Sequence, residues 1–228
     1  MGIRFSNEEL KKIHKIQLAM LVELDRICRK YDIKYIISGG TLLGAVRANS
    51  FIPWDDDIDV RMERNEYERF CMVCENELDK ENFFFQNHKT DSEYPWYYGK
   101  LRYKHSRYVR EGQEHLKMND GIFMDILPSD GLPENDFLKK IIIKKFFFFP
   151  ALNTPKRRKY PYASVGRVTE KNTIKRIVYK VMYRIPNKWI FKSFDKMAKK
   201  YSSVLTIFLC AIFITCVFGH RGISMASQ

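Results

Sequence analysis

A β-prone run, "IKYIIS" (33–38), stops at Gly39-Gly40, resumes as "TLLGAVR", and meets Pro53 just before four aspartates, Asp55, Asp56, Asp57 and Asp59. That order leaves the backbone few choices. Paired glycines relax the steric limit on φ and permit a sharp turn. The segment after them holds no breaker until Pro53, which blocks the extension of a helix, so a short helix is expected there. "DIDVRM" (57–62) then alternates acidic and apolar residues, the pattern of a strand with one polar face.

On such a strand Asp57 and Asp59 project from one face, while Ile58 and Val60 point into the core. Two carboxylates roughly 6–7 Å apart along a strand can bracket a hard divalent cation such as Mg²⁺ or Mn²⁺, and like charges crowded this closely repel unless a cation sits among them. Asp55 and Asp56, just upstream, are placed to orient or tune the pair. The turn adds a second ingredient. Gly39, Gly40 and Thr41 lead into a helix, and backbone N–H groups at a helix start favour phosphate. A phosphate cradle followed by a metal-binding strand is the division of labour that phosphoryl transfer needs. Taken singly, each part has a plainer reading: a strand-to-helix corner, or a polar turn with surplus charge.

A third carboxylate, Asp125, stands alone in the apolar run "GIFMDILP". An aspartate there is costly unless it is paired, hydrogen-bonded or bound to metal. It is expected as a third metal ligand or as the base that takes a hydroxyl proton, with partnership to a buried arginine as the alternative. Lys100 and Arg102 share one face of a strand in "YYGKLRYK", where they would bind phosphates or line an exposed face. Trp96, Tyr97 and Tyr98 offer aromatic faces to an ammonium ion, core packing being the plainer role. His14, His88, His105, His115 and His220 show no ligand spacing. Cys71 and Cys74 form a C-x-x-C without a second pair, in an apolar stripe with Tyr67 and Leu78, and read as core.

Around these motifs, Ser6 and Glu9 make a capping box for an amphipathic helix over 7–30. Asn65 caps a helix through Leu78, and "NFFFQN", "YYGKLRYK" and "GIFMDILP" read as strands. Helices are expected over 136–149, 173–183 and 189–201. The fold class is α/β of the α+β type: a mixed sheet with flanking helices, then a basic helical region. The expected divisions are a catalytic core over 1–133, the basic region over 134–203 and an apolar tail over 204–228.

Charge follows the same division. Residues 1–138 hold 20 Lys/Arg against 25 Asp/Glu, and residues 139–201 hold 19 against 2. Such a rear suits an anionic partner, in particular a membrane surface, or is a solvated face. No apolar signal segment opens the chain, and the pattern fits a cytoplasmic protein, peripheral at the inner face of a membrane. The apolar run over 204–218 is shorter than a spanning helix needs. It reads as a short anchor or as the altered end of a truncated sequence.

The segments "GGTLLGAVRANSFIPWDDDIDV", "NEYERF" and "GIFMDILPSDGLP" together resemble the LicD family, to which the fukutin-type transferases are related. The resemblance spans roughly 33–79 and 97–133. It implies a nucleotidyltransferase-like fold, a divalent metal, and transfer of a phosphorylated alcohol, commonly phosphocholine, from a CDP-activated donor. The acceptor would be a sugar hydroxyl of a surface glycan or its lipid-linked precursor. By position, Gly39, Gly40 and Thr41 match the family's glycine turn, Arg47 an arginine of the same signature, Asp57 and Asp59 its metal pair, and Asp125 its later acidic strand position. The family usually carries His or Lys-Gly-type residues where Ala48-Asn49-Ser50 stand here. Two other classes remain open: a nucleotidyltransferase acting on nucleic acid, against which the absence of an RNA-binding signature argues, and an inactive membrane-associated scaffold.

Overall fold

The computed structural model describes residues 5–110, 113–144, 184 and 186–200. Helix α1 (Asn7–Lys30) opens the fold. Its capping box is formed: Ser6 N–H donates to Glu9 Oε2 at 2.8 Å, and Glu9 N–H donates to Ser6 Oγ at 3.3 Å. β1 (Ile36–Ser38), α2 (Gly39–Ala48), β2 (Asp59–Glu63) and α3 (Arg64–Glu77) follow, then β3 (Phe83–Gln86), β4 (Gly99–Tyr103) and β5 (Phe123–Ser129). Residues 136–144 are helical, and α4 (Asn187–Lys200) ends the described chain. The helix expected over 173–183 and the apolar run 204–218 lie outside the described residues. Among the described residues no helix is long and apolar enough to cross a membrane.

The sheet is mixed, in the order β1-β2-β5-β4-β3, with only β2 and β5 parallel. That α/β architecture, a five-stranded sheet with flanking helices, is the one expected from the sequence. β5 is central, which explains its unbroken apolar run: a strand covered on both faces has no reason to alternate. β4 accompanies β5 only as far as Ile126, paired with Gly99. Pro128 therefore falls where β5 has lost that neighbour, and a residue without an N–H is tolerated there.

α1 lays Leu10, Ile13, Met20, Leu24 and Ile27 against the sheet, with the last three fully buried. Each such side chain contributes about 1.5–3 kcal/mol of burial. Between the sheet, α1 and α3 sits the main core, which includes Ile58, Val60, Met62, Phe70, Leu101, Met124 and Ile126. Cys74 is buried in it and Cys71 packs against it, and burial pushes both thiols up, that of Cys71 to about 11. Thiols held protonated in this way are core groups rather than reactive ones.

A smaller cluster joins Tyr97, Leu132 and Ile142 to Phe191, Phe194 and Ala198 of α4. The Tyr97 hydroxyl donates to Asp195, and Lys199 reaches Glu68 of α3 at 3.5 Å. Between the two clusters Arg64 and Asp130 form a buried bidentate pair, Nε to Oδ1 at 2.6 Å and Nη2 to Oδ2 at 2.8 Å. The Arg64 guanidinium also lies over the rings of Tyr67 and Tyr97. It ties the start of α3 to the chain leaving β5.

Candidate active site

The glycines set the geometry. Gly39 takes φ +59°, and a Cβ on it would stand 2.6 Å from Asp59 Oδ2, while one on Gly40 would overlap Asp55 Oδ2. The left-handed φ of Gly39 and the missing Cβ at both positions let α2 begin close to two carboxylates. Ser38, the N-cap, does not cap the helix with its side chain; its Oγ donates instead to Asp59 O at 3.5 Å. The N-terminal N–H groups of α2 thus open onto the acidic side chains, in the orientation that suits negative charge. Thr41 Oγ1 accepts from Asp59 N–H at 3.0 Å and pins the first residue of β2 to the helix. α2 ends at Asn49, in a left-handed conformation (φ 47°), so it stops before Pro53 is reached.

The acidic chain is held from two directions. From α1, His14 hydrogen-bonds Asp55 O at 2.7 Å while its ring stacks on Phe51. Gln17, fully buried, donates through Nε2 to Asp56 O at 2.9 Å and to Phe123 O at 3.3 Å. From the chain between β4 and β5, the Tyr108 hydroxyl donates to the Asp56 carboxylate. Arg110 Nη2 donates to Asp57 Oδ2 at 2.7 Å. One ligand atom from each of Asp55, Asp56 and Asp57 lies within 4.8 Å of the others.

The expected alternation holds: Ile58 and Val60 are fully buried and Asp57 and Asp59 half-buried. The strand itself starts later than expected, at Asp59, so Asp57 sits just before it. The ladder begins where Asp125 N–H donates to Ile58 O at 2.8 Å. Asp59 then stands in register with Asp125 across the parallel β2–β5 pair. Lys100, the register partner of Asp125 on β4, donates to Asp125 Oδ1.

Burial and mutual repulsion disturb these groups. Burial first, then the charges of Asp125 and Asp57, pushes Asp59 up to about 8. Burial, with Asp57 and Asp56 beside it, raises Asp55 to about 6. Asp57 is raised by burial even though Arg110 works against the shift. Burial lowers Lys100 to about 8, against the pull of Asp125. Carboxylates pushed this way want a cation.

The remaining expected residues divide. Arg47 is exposed near the end of α2. Arg102 shares its strand face with Lys100, yet both are buried, Lys100 against Asp125 and the Phe123 ring and Arg102 against Gln86 and the same ring. Arg102 Nε donates to Gln86 Oε1 at 2.8 Å and Nη1 to Gly121 O at 2.7 Å, which anchors the entry to β5. Trp96 and Tyr97 are buried. Sequence reasoning passed over His14, Gln17, Tyr108 and Arg110. Gln17 carried a readable signal, a polar residue on the apolar stripe of α1; Tyr108 and Arg110 sit in irregular chain with no periodicity to mark them.

The donor set fits a hard divalent cation. It is all carboxylate oxygen, half-buried, and destabilised by its own charge. Asp57, Asp59 and Asp125 interact as neighbours, and Asp55 and Asp56 bring further oxygens to Asp57.

Residues 32–196 match the family described as LicD/FKTN/FKRP, nucleotidyltransferase domain. A lipopolysaccharide cholinephosphotransferase LicD of Haemophilus influenzae is 48% identical over 64 residues, 28% of this chain and 24% of that protein. Uncharacterized proteins of Rickettsia typhi and Rickettsia prowazekii are 42% identical over 57 residues and 39% identical over 64 residues. The matched stretch spans 18–24% of the length of these relatives.

Proposed function

The chain belongs to the LicD family, and from that premise and the site's geometry we propose that it transfers phosphocholine, or a similar phosphorylated alcohol, from a CDP-activated donor to a sugar hydroxyl of a surface glycan. The observation that carries this reading is the placement of Asp55 and Asp59 at the glycine-led start of α2, with Asp57 and Asp125 as the charged neighbours of Asp59. The name of the Haemophilus influenzae relative supplies the class of alcohol and acceptor.

In this account Asp57 and Asp59 hold Mg²⁺ or Mn²⁺, with Asp55 and Asp56 completing or tuning the shell. The bound ion supplies charge neutralisation at the transferring phosphoryl group. The N–H groups of Gly39, Gly40 and Thr41 bind phosphate oxygen and fix the donor. The acceptor oxygen attacks the phosphorus bearing the alcohol, the bond from that phosphorus to the CMP oxygen breaks, and CMP leaves with the electron pair. Lys100 occupies Asp125 Oδ1, so Oδ2 of Asp125 is the oxygen that receives the hydroxyl proton.

Lys188, Lys192 and Lys196 stand exposed along one face of α4. They would bring the site to an anionic membrane that carries a lipid-linked acceptor. Incubation with CDP-choline, Mg²⁺ and either lipopolysaccharide or RNA, followed by nucleotide analysis, tests the reading. CMP released with the glycan and not with RNA supports it; CMP in neither mixture sinks it.

A further inference from the structure

We infer that Arg110 is the resident counter-cation of the metal site: it holds Asp57 until the metal enters, and then turns to the diphosphate of the donor. The inference rests on the metal-dependent reading above and adds a residue to it. Of the cations around the acidic cluster, Lys100 is buried against Asp125 and Arg102 is buried against Gln86 and Gly121. Both sit on β4 and are fixed by the sheet. Arg110 differs on each count. It belongs to irregular chain between β4 and β5, and its side chain keeps 24% of its surface exposed.

Its Nη2 donates to Asp57 Oδ2 at 2.7 Å, and a metal ion bound by that carboxylate would need the same lone pairs. Its guanidinium also lies 4.7 Å from the centre of the Phe123 ring, whose face Lys100 shares at 3.6 Å. Phe123 leads β5 into Asp125. The ring therefore offers Arg110 a place to rest beside the site after Asp57 is given up, stacked as guanidinium groups stack on aromatic faces. From there its planar fork suits two phosphate oxygens. Exchange of one cation for another keeps the carboxylates neutralised at every stage, which the crowding of Asp55, Asp57 and Asp59 demands.

The test uses the full chain, Mn²⁺ as the probe, and electron paramagnetic resonance to count free ion. Arg110→Gln should bind Mn²⁺ about tenfold tighter than the parent when no nucleotide is present, since its competitor is gone. The same variant, with Mn²⁺ saturating, should bind CDP about tenfold more weakly, as read by calorimetry. Arg110→Lys keeps the charge without the fork; it should restore the parent's weaker Mn²⁺ binding and leave CDP binding impaired. Equal Mn²⁺ affinity in the parent and Arg110→Gln, with both melting cooperatively, overturns the exchange and leaves the metal site standing. If neither protein takes up Mn²⁺, the metal-dependent reading falls and the exchange falls with it. Tighter Mn²⁺ binding with unchanged CDP binding overturns the second half, and Arg110 is then a competitor only.

Discussion

Asp59→Asn should stabilise the metal-free protein, and increasingly so as pH rises. Asp59 is an acid whose folded pKa is raised, from 3.8 to about 8, by burial and by Asp125 and Asp57. The folded state therefore keeps a proton that the unfolded chain releases. Stability from this group is intact below about pH 4 and is lost progressively as pH rises to about 8. A shift of that size corresponds to at most about 6 kcal/mol. With an effective dielectric of about 20 around a partly hydrated site, roughly 2 kcal/mol of that is expected. For a chain of this length that is about 4–8 °C in Tm. The assay is a set of thermal melts in EDTA between pH 5 and pH 8.5. The variant and the parent should melt together at the acid end and separate by about 4–8 °C at the alkaline end, the variant being higher. Adding Mg²⁺ at pH 8.5 should raise the parent, by about 3 kcal/mol at a hundredfold excess over Kd, and leave the variant nearly unmoved. A variant less stable than the parent at pH 8.5 in EDTA, or a difference that ignores pH, would refute the reasoning.

Asp130→Asn leaves Arg64 buried without its counter-charge, and should cost about 3–5 kcal/mol by chemical denaturation. Gly40→Ala places a methyl group where Asp55 Oδ2 lies; transfer should fall at least about tenfold while the fold survives, as judged by circular dichroism. His88 is held neutral by burial, down to about 4, so the contacts it makes with Tyr97 and Phe191 are stable above about pH 6.5 and weaken as pH falls toward about 4. His88→Phe should remove that acid sensitivity from the melting curve. Lys188→Glu with Lys192→Glu and Lys196→Glu should lower sedimentation with anionic vesicles at low salt, each lysine being worth about 1 kcal/mol near such a surface; unchanged sedimentation would make the stripe a solvated face.

What could be read from the sequence was what local chemistry encodes. The capping box at Ser6 and Glu9, the glycine turn and the alternation from Asp57 to Met62 each follow from neighbours in the chain. Asp125 was legible as a costly carboxylate, because an apolar strand leaves an acid nowhere to hide. Its partner was not. Lys100 and Asp125 face each other only because β4 and β5 pair in one register, and register is a property of two strands. The same limit made Lys100 and Arg102 read as phosphate binders or an exposed face rather than as two buried groups with different partners. Arg110 and Tyr108 lie in chain whose path is set by Phe5, Phe123 and the acids it touches, and no period announces such a path. α1 looked like a core helix and is one, but His14 and Gln17 also use it to hold the backbone carbonyls of Asp55 and Asp56. Helical periodicity shows which face is buried; it does not show which carbonyl waits opposite.

The central claim is that Asp57 and Asp59 hold the ion on which phosphoryl transfer depends. The most direct test is mass spectrometry of a glycan acceptor after incubation with the protein, CDP-choline and Mg²⁺. The account predicts that the glycan gains one phosphocholine, that EDTA abolishes the gain, and that Asp57→Asn or Asp59→Asn lowers its rate at least about a thousandfold with the fold retained. A glycan modified at the parent's rate by either variant, or by the parent in EDTA, would contradict it.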